Sequence, residues 1–362
     1  MKSKSIELKA LRTILITYIL LCIIIAGLNY GYASQASEET AKFIRWFWHF
    51  YENWVKTLFI IICSFLTLRI VGSSETTTMR KRNLIGFTVA ALVVHIFGPL
   101  ILNNFELYFF TMPLPWTTTS LQLLYENSSF YLSRFPIWGL TGITFALIFY
   151  ICYSIIVILG TLLLGRRWQC STLCLFNGFA AEVFDPAIPI TGKKRKIKPR
   201  NLKLLSMMRW VFLIIAIIFT AYWVMFLLGV QLPGNIHVIS KVENYKYLVG
   251  ELFMAMFFWV AFIGRGYCYY CPLGTVLSFI GRAADQKIVT NNTKCIQCNK
   301  CNLACPMSIE IKGKARDGEV VKDNKCVGCA HCVDACPTKT LAYSTKFLDK
   351  VSRNKKKDKA LS

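Results

Sequence analysis

The chain has 362 residues, 55% of them hydrophobic and only 17% charged, yet its formal net charge is +23, from 42 Lys plus Arg against 19 Asp plus Glu. An ordinary soluble domain carries roughly 25% charged residues of both signs. Length and apolar content exclude collagen, disordered chains and disulfide mini-domains, and leave an integral membrane protein with basic loops or a basic extramembrane domain.

Apolar stretches long enough to cross a hydrocarbon layer of ~30 Å, about 20 residues as helix, lie at 11–28, 54–71, 84–102, 137–164, 210–230 and 248–264. The first follows a basic start, as a signal peptide does. No small-residue cleavage site ends it, however, and Asn29-Tyr30-Gly31-Tyr32 reads as an interfacial exit, so it is taken as a helix. Basic residues sort the loops. Segments 1–12, 72–83, 165–209 and everything after 264 carry four, three, ten and eighteen, whereas 29–53, 103–136 and 229–247 carry two, one and two. Positive charge stays inside, so six helices with both termini cytoplasmic satisfy every loop. Loop 103–136, with Pro113, Pro115, Trp116 and several aromatics, is expected along the outer interface.

After the sixth stretch a pattern occurs twice: Cys295-x2-Cys298-x2-Cys301-x3-Cys305-Pro306 and Cys326-x2-Cys329-x2-Cys332-x3-Cys336-Pro337. This is the bacterial two-cluster ferredoxin run, whose fourth cysteine ligates the other cluster. One 4Fe-4S cube is therefore expected on Cys295, Cys298, Cys301 and Cys336, and the other on Cys326, Cys329, Cys332 and Cys305. Tight C-x2-C-x2-C turns aim sulfurs and backbone N–H groups at one face of a cube, and Ile296, Val327, Ala304 and Ala335 are expected to exclude water. Zinc uses C-x2-C pairs but needs no exchanged fourth ligand. Disulfides do not suit a reducing compartment. His331 is expected to be an exposed turn residue, with cluster tuning as the alternative. The expected organisation is a six-helix α-helical transmembrane domain over 1–284, a small α+β double 4Fe-4S ferredoxin domain over 285–345, and a basic tail over 346–362.

A second repeat lies at the cytoplasmic helix ends. Gly165-Arg166-Arg167-Trp168-Gln169-Cys170 leads to Cys174, and Gly264-Arg265-Gly266-Tyr267-Cys268 leads to Cys271-Pro272-Leu273-Gly274. With the ferredoxin runs, these elements resemble the NapH and NosR type of membrane-bound polyferredoxin, over about residues 137–345. The first pair has Leu175 in place of the family's proline, the second has x2 rather than x3 spacing, and no extracytoplasmic flavin domain of the NosR kind precedes the helices. The resemblance implies electron transfer between a cytoplasmic or membrane-pool carrier and an acceptor across the membrane. Three readings of Cys170, Cys174, Cys268 and Cys271 stay open: a converging iron–sulfur or other metal site, a dithiol relay, or packing.

Cys22, Cys63 and Cys152 read as small buried hydrophobes. His95, within the third stretch, is a quinone contact, a haem ligand or a packing residue; a b-type haem needs a second axial histidine, and His49 and His237 lie in outer loops. Glu251 is a proton acceptor or a snorkelled interfacial acid. The run Lys193, Lys194, Arg195, Lys196, Lys198 and Arg200 suits anionic headgroups, and Lys355, Lys356 and Lys357 suit a disordered solvated tail. Either run also suits docking of an acidic soluble ferredoxin or flavodoxin. Nucleic acid is not expected, since no recognition fold accompanies the charge. No acid, base or nucleophile constellation marks a complete enzyme. The sequence is read as an electron-transfer subunit carrying two 4Fe-4S clusters and passing electrons between a quinol pool or soluble carrier and a partner redox protein. The rival is a redox-sensing or assembly factor of the NosR-like or CcoG-like kind.

Overall fold

The computed structural model describes residues 2–33, 35–72, 77–192, 197–230, 236–290 and 295–361, with side chains outside the described set at 2–4, 199, 237 and 355–361. Residues 193–196, most of the basic run between the fourth and fifth helices, thus lie outside the described residues, as do the side chains of His237 and of Lys355, Lys356 and Lys357.

Among the described residues, five helices are long and apolar enough to cross a membrane: α1 (Ser5–Tyr32), α2 (Glu38–Val71), α3 (Thr78–Leu102), α4 (Ser129–Leu164) and α5 (Arg200–Leu227). Even the shortest, α3, would extend about 37 Å at 1.5 Å per residue. The sixth expected stretch falls in a helix over 236–261 (α6) that, among the described residues, does not join those five. Helix α2 begins well before its expected apolar segment. The Ser37 side chain caps its N-terminus, and Ala41, Ile44 and Trp48 give the early turns a buried face. In α4, Pro136 and the left-handed Gly139 (φ 62°) break the helix near the expected start of its apolar run.

Burial divides these helices. Between 33% and 39% of the most apolar segment is buried in α1, α2 and α3, but only 11% in α4 and 17% in α5. Ile148, Ile155, Leu159, Ile214 and Ile218 are all exposed. Water penalises so large an apolar surface and hydrocarbon does not, so several long apolar helices of this kind are consistent with a membrane protein.

Segment 103–136, expected along the outer interface, also sends side chains inward. It folds inward until Trp116 Nε1 donates to Tyr267 Oη at 2.7 Å and Gln169 Nε2 donates to the Thr111 carbonyl at 3.4 Å. Its apolar side chains Phe110, Met112 and Trp116 are buried there, which supplies the driving force.

Beyond the helices, β1 (Lys287–Thr290) pairs antiparallel with β2 (Leu341–Ser344), and Ile288 bridges to Val321. Strand β2 is tied to the end of α4 by Tyr343 Oη donating to Leu164 O (2.6 Å), followed by Thr345 Oγ1 donating to Leu163 O (2.7 Å). One apolar core runs from the helices into this small domain. The chain from Lys346 to Leu361 is a helix rather than the disordered tail expected, anchored near its start by Lys287 Nζ to Asp349 Oδ2 at 3.0 Å.

Candidate functional site

The ferredoxin region folds as two matching loops. In the first, Gln297 (φ 55°) and Asn299 (φ 62°) are left-handed; in the second, Gly328 (φ 69°) and Ala330 (φ 59°) occupy the same places between the cysteines. Left-handed residues in succession with right-handed ones turn backbone N–H groups into a concavity that suits an anion. Cys295, Cys298, Cys301 and Cys336 line one small cavity, and Cys305, Cys326, Cys329 and Cys332 line another.

Hydrogen-bond donors converge on the sulfurs. Burial pushes the Cys305 thiol up to about 11 although the Ile309 and Met307 amides oppose it. At Cys336 burial also acts upward, but the Thr338 hydroxyl and the amides of Thr340 and Leu341 outweigh it and hold the thiol below its ordinary value. Sulfur quartets with N–H donors and mostly apolar walls are the surroundings that 4Fe-4S clusters require, so the residues present fit that cofactor.

The two loops face different ways. Val327 is 1% exposed and Cys329 is buried, whereas Ile296, at the position equivalent to Val327, is 60% exposed and Cys298 is exposed. Ile296 therefore does not exclude water as expected. A Cβ on Gly328 would lie 2.8–3.0 Å from the Cβ, N and Cα of Arg167, so glycine is what lets the second loop lie against the end of α4.

That contact holds a buried ionic knot. Arg265 (0% exposed) donates to Glu182 Oε1 at 2.6 Å, and His331 Nε2 stands 2.7 Å from Glu182 Oε2. Arg80 reaches His331 Nδ1 at 3.2 Å and Asp185 at 3.0 Å, while Asp334 accepts from the Met79 and Arg80 amides that open α3. His331 is thus buried at 3% exposure, correcting the expectation of an exposed turn residue. Donor atoms of Glu182, Cys329 and His331 lie within 4.8 Å of one another, as in a metal site. Arg265 and Arg80 already supply the positive charge beside Glu182 and His331, so the group is read as an ion-pair network.

The helix-end cysteines occupy the other side of this contact. Each arginine of the repeat reaches across to the opposite pair: Arg265 Nη1 donates to Cys170 O at 2.6 Å, and Arg166 Nη2 lies where a Cβ on Gly274, beside Cys271, would be 3.0 Å away. The first pair sits in a π-helical turn, Gln169–Leu173. In the second, Cys271 caps the helix Pro272–Ala283, its sulfur accepting from the Gly274 amide at 3.3 Å. Asn177 Nδ2 donates to Cys268 Sγ at 3.2 Å. Burial pushes the Cys271 thiol up, and Cys268, Cys174 and Cys170 push it further in the same direction. Burial raises the thiols of Cys170, Cys174 and Cys271, surroundings unlike the exposed, low-pKa thiols of dithiol exchangers. Ser171 Oγ donates to Val327 O at 2.9 Å, joining this group to the second ferredoxin loop.

Other sequence candidates separate. His95 is 1% exposed, stacks on Tyr108 at 5.8 Å, and neither ring nitrogen has a hydrogen-bond partner among the described residues. His49 instead faces Glu106 at 3.4 Å. Glu251 does not snorkel: it is 1% exposed, paired with Lys246 at 3.0 Å and accepting from Tyr267 Oη at 3.0 Å. Cys22 and Cys63 are buried, but Cys152 is exposed on α4. Sequence reasoning passed over the buried pair Glu52–Lys56 (2.8 Å) and the bidentate pair Glu106–Arg134 (2.5 and 2.7 Å). Their signals were an i,i+4 acid–base spacing and a lone arginine in an outer loop.

Residues 287–353 match the family model described as a 4Fe-4S dicluster domain. The chain is therefore an iron–sulfur protein with a C-terminal ferredoxin domain, which supports iron–sulfur electron transfer. It is 28% identical to an uncharacterised protein of Methanocaldococcus jannaschii over 174 residues, 46% of this chain and 70% of that relative. To another uncharacterised protein of the same organism it is 33% identical over 86 residues, 23% of this chain and 35% of that relative, so the match spans about a third of the latter's length. No solved structure matches.

Proposed function

We propose that the protein is a membrane-bound electron relay of the NapH/NosR type, passing single electrons between a quinol pool or soluble cytoplasmic carrier and a partner redox protein. In this reading Cys295, Cys298, Cys301 and Cys336 hold one cluster, Cys326, Cys329, Cys332 and Cys305 a second, and Cys170, Cys174, Cys268 and Cys271 a further centre at the helix ends. Bound clusters would supply one-electron chemistry. The chain supplies the thiolates, the amides that temper their charge and the packing that keeps sulfur groups adjacent. The observation that carries the reading is the contact of the helix-end cysteine turn with the second ferredoxin loop through Ser171 and Val327. The basic loops support a cytoplasmic ferredoxin domain, and basic residues there suit an acidic soluble carrier.

The test uses vesicles containing the whole protein, given a menaquinol analogue or a reduced soluble ferredoxin while iron–sulfur absorbance is followed. Continuous turnover supports the relay. Stoichiometric reduction without onward flow contradicts it and favours a sensor or assembly factor.

A further inference from the structure

Helices α2 and α3 each contain a π-helical turn, Tyr51–Val55 and Leu92–Phe97, and the two turns pack on one another. Such local widenings of a helix often mark functional sites. The first turn carries Glu52 (7% exposed) and Asn53 (0%), with Lys56 (8%) directly after it, and the second carries His95 (1%). Lys56 Nζ lies 2.8 Å from Glu52 Oε2. Both helices are long and apolar enough to cross a membrane, and ionisable side chains inside such helices mark ion and proton routes. A pair that only held the helices together would leave its surroundings satisfied. Here His49 Nδ1, Asn53 Oδ1, Thr57 Oγ1 and both ring nitrogens of His95 are buried and have no hydrogen-bond partner among the described residues. Positions 49, 53 and 57 recur every four residues, which stacks them along one side of α2. Buried polar groups are normally met, so a row of unmet donors and acceptors beside an ion pair fits a path for protons better than a packed core.

The row begins at a polar cavity of about 360 Å³ at the helix ends away from the ferredoxin contacts, whose walls include Tyr30, Trp48, His49 and Glu106. His49 Nε2 faces Glu106 Oε1 at 3.4 Å, and Asn53 Nδ2 donates to the His49 carbonyl at 2.9 Å. Trp48 Nε1 donates to Tyr108 Oη at 2.7 Å, and the Tyr108 ring stacks on His95. The cavity walls therefore lead to both turns. On the other side, Lys56 Nζ stands 5.5 Å from the centre of the Phe179 ring. Phe179 follows Gly178, where a Cβ would lie 2.8 Å from Cys170 O and 2.9 Å from Cys174 Cβ. One buried ring thus stands between the ion pair and the residue that abuts the first cysteine turn.

We infer that Glu52, Lys56 and His95 form a buried proton-loading site: when an electron reaches the helix-end cysteine group, one proton from cavity water passes His49 and Glu52 and binds the His95 ring. Low dielectric makes the added negative charge felt at that range, and the proton offsets it. In this step one electron passes from the relay's reduced donor to the cysteine group, an O–H bond of hydronium in the cavity breaks, and an N–H bond forms at His95. Imidazole suits the role because it accepts at one nitrogen while donating at the other. Lys56 is the charge that acts on His95. Around Glu52 stand the phenols of Tyr18, Tyr30, Tyr51, Tyr108 and Tyr247 and the thiol of Cys22, groups that ordinarily titrate above about pH 8. The inference rests on the relay reading for the electron and on the facing turns for the proton.

The experiment is a redox titration of the full-length protein in nanodiscs at pH 6, 7 and 8, following the iron–sulfur signals by electron paramagnetic resonance, with iron content measured on the same samples. One signal, absent when Cys170, Cys174, Cys268 and Cys271 are all changed to serine, is expected to shift its reduction equilibrium about tenfold per pH unit, or about 59 mV. In Glu52→Gln and in His95→Phe that shift should fall below about twofold per pH unit, with iron content retained. If Glu52→Gln does not fold because Lys56 is left alone, Glu52→Gln combined with Lys56→Met, which buries no lone charge, carries the same expectation. A pH-independent equilibrium for every wild-type signal, or a pH dependence undiminished in the variants, overturns the inference. A pH-dependent signal that survives the four serine changes but is lost in Glu52→Gln keeps the proton site and overturns the helix-end centre of the relay.

Discussion

The two cysteine loops of the ferredoxin domain share spacing, left-handed turns and following proline, yet one faces outward and the other is pressed against the ends of the helices. Ile296, Cys298 and Lys300 are exposed in the first loop, whereas their counterparts Val327, Cys329 and His331 are buried in the second. Internal cluster chemistry sets what is common to the loops; docking sets what differs. Gln297 against Gly328 is the clearest mark, because only the second loop meets a neighbouring backbone there. The asymmetry gives the domain one side packed on the helices and one side left exposed.

The largest expected effect comes from breaking the knot beneath the inner loop. Arg265→Ala leaves Glu182 buried without the guanidinium that donates to its Oε1, and losing one member of a buried pair costs about 3–5 kcal/mol. Lys300→Ala in the outer loop should stay within about 0.5 kcal/mol, as exposed sites generally do. Thermal unfolding of the ferredoxin absorbance measures both. Exchanging the distinguishing residues comes next: Gly328→Gln should cost about 1–3 kcal/mol through overpacking against Arg167, and Gln297→Gly about 1 kcal/mol or less. Protease sensitivity near residue 290, in the strand leading into the domain, would report detachment in the first case and not in the second.

The knot also has a pH signature. Burial alone would raise the Glu182 carboxyl, but His331, Arg265 and Arg80 outweigh burial and lower it from its ordinary 4.5 to about 2. A carboxyl held below its unfolded value contributes stability that is fully present above about pH 4.5 and fades as pH falls towards 2. Glu182→Gln should remove that part of the slope, seen in unfolding midpoints across the window. The smallest effect belongs to the outer loop. Lys300→Glu should slow reduction by an acidic soluble carrier a few-fold at low salt and hardly at all at high salt.

Most of the helices and the ferredoxin spacing were legible in the sequence because each answers to a strong local demand. Hydrocarbon requires unbroken apolar runs, and a cube requires thiolates at fixed intervals. What the sequence hid was set by contacts between distant segments. Nothing beside His331 announces that Glu182, 149 positions away, will bury it. Lys300 at the same loop position is exposed, so local pattern alone points the wrong way. The infolding of 103–136 depends on Trp116 meeting Tyr267. Gly328 was a readable signal: a glycine where the sister loop tolerates glutamine marks the side that something else must approach.

The central claim is that the helix-end cysteines form a third centre beside the inner loop, rather than a packed turn that supports it. Iron per polypeptide in anaerobically purified protein tests this most directly, compared between wild type and the variant with Cys170, Cys174, Cys268 and Cys271 all changed to serine. For three 4Fe-4S clusters the expected values are about twelve irons falling to about eight. About eight in both proteins, with unchanged electron transfer, would contradict the claim.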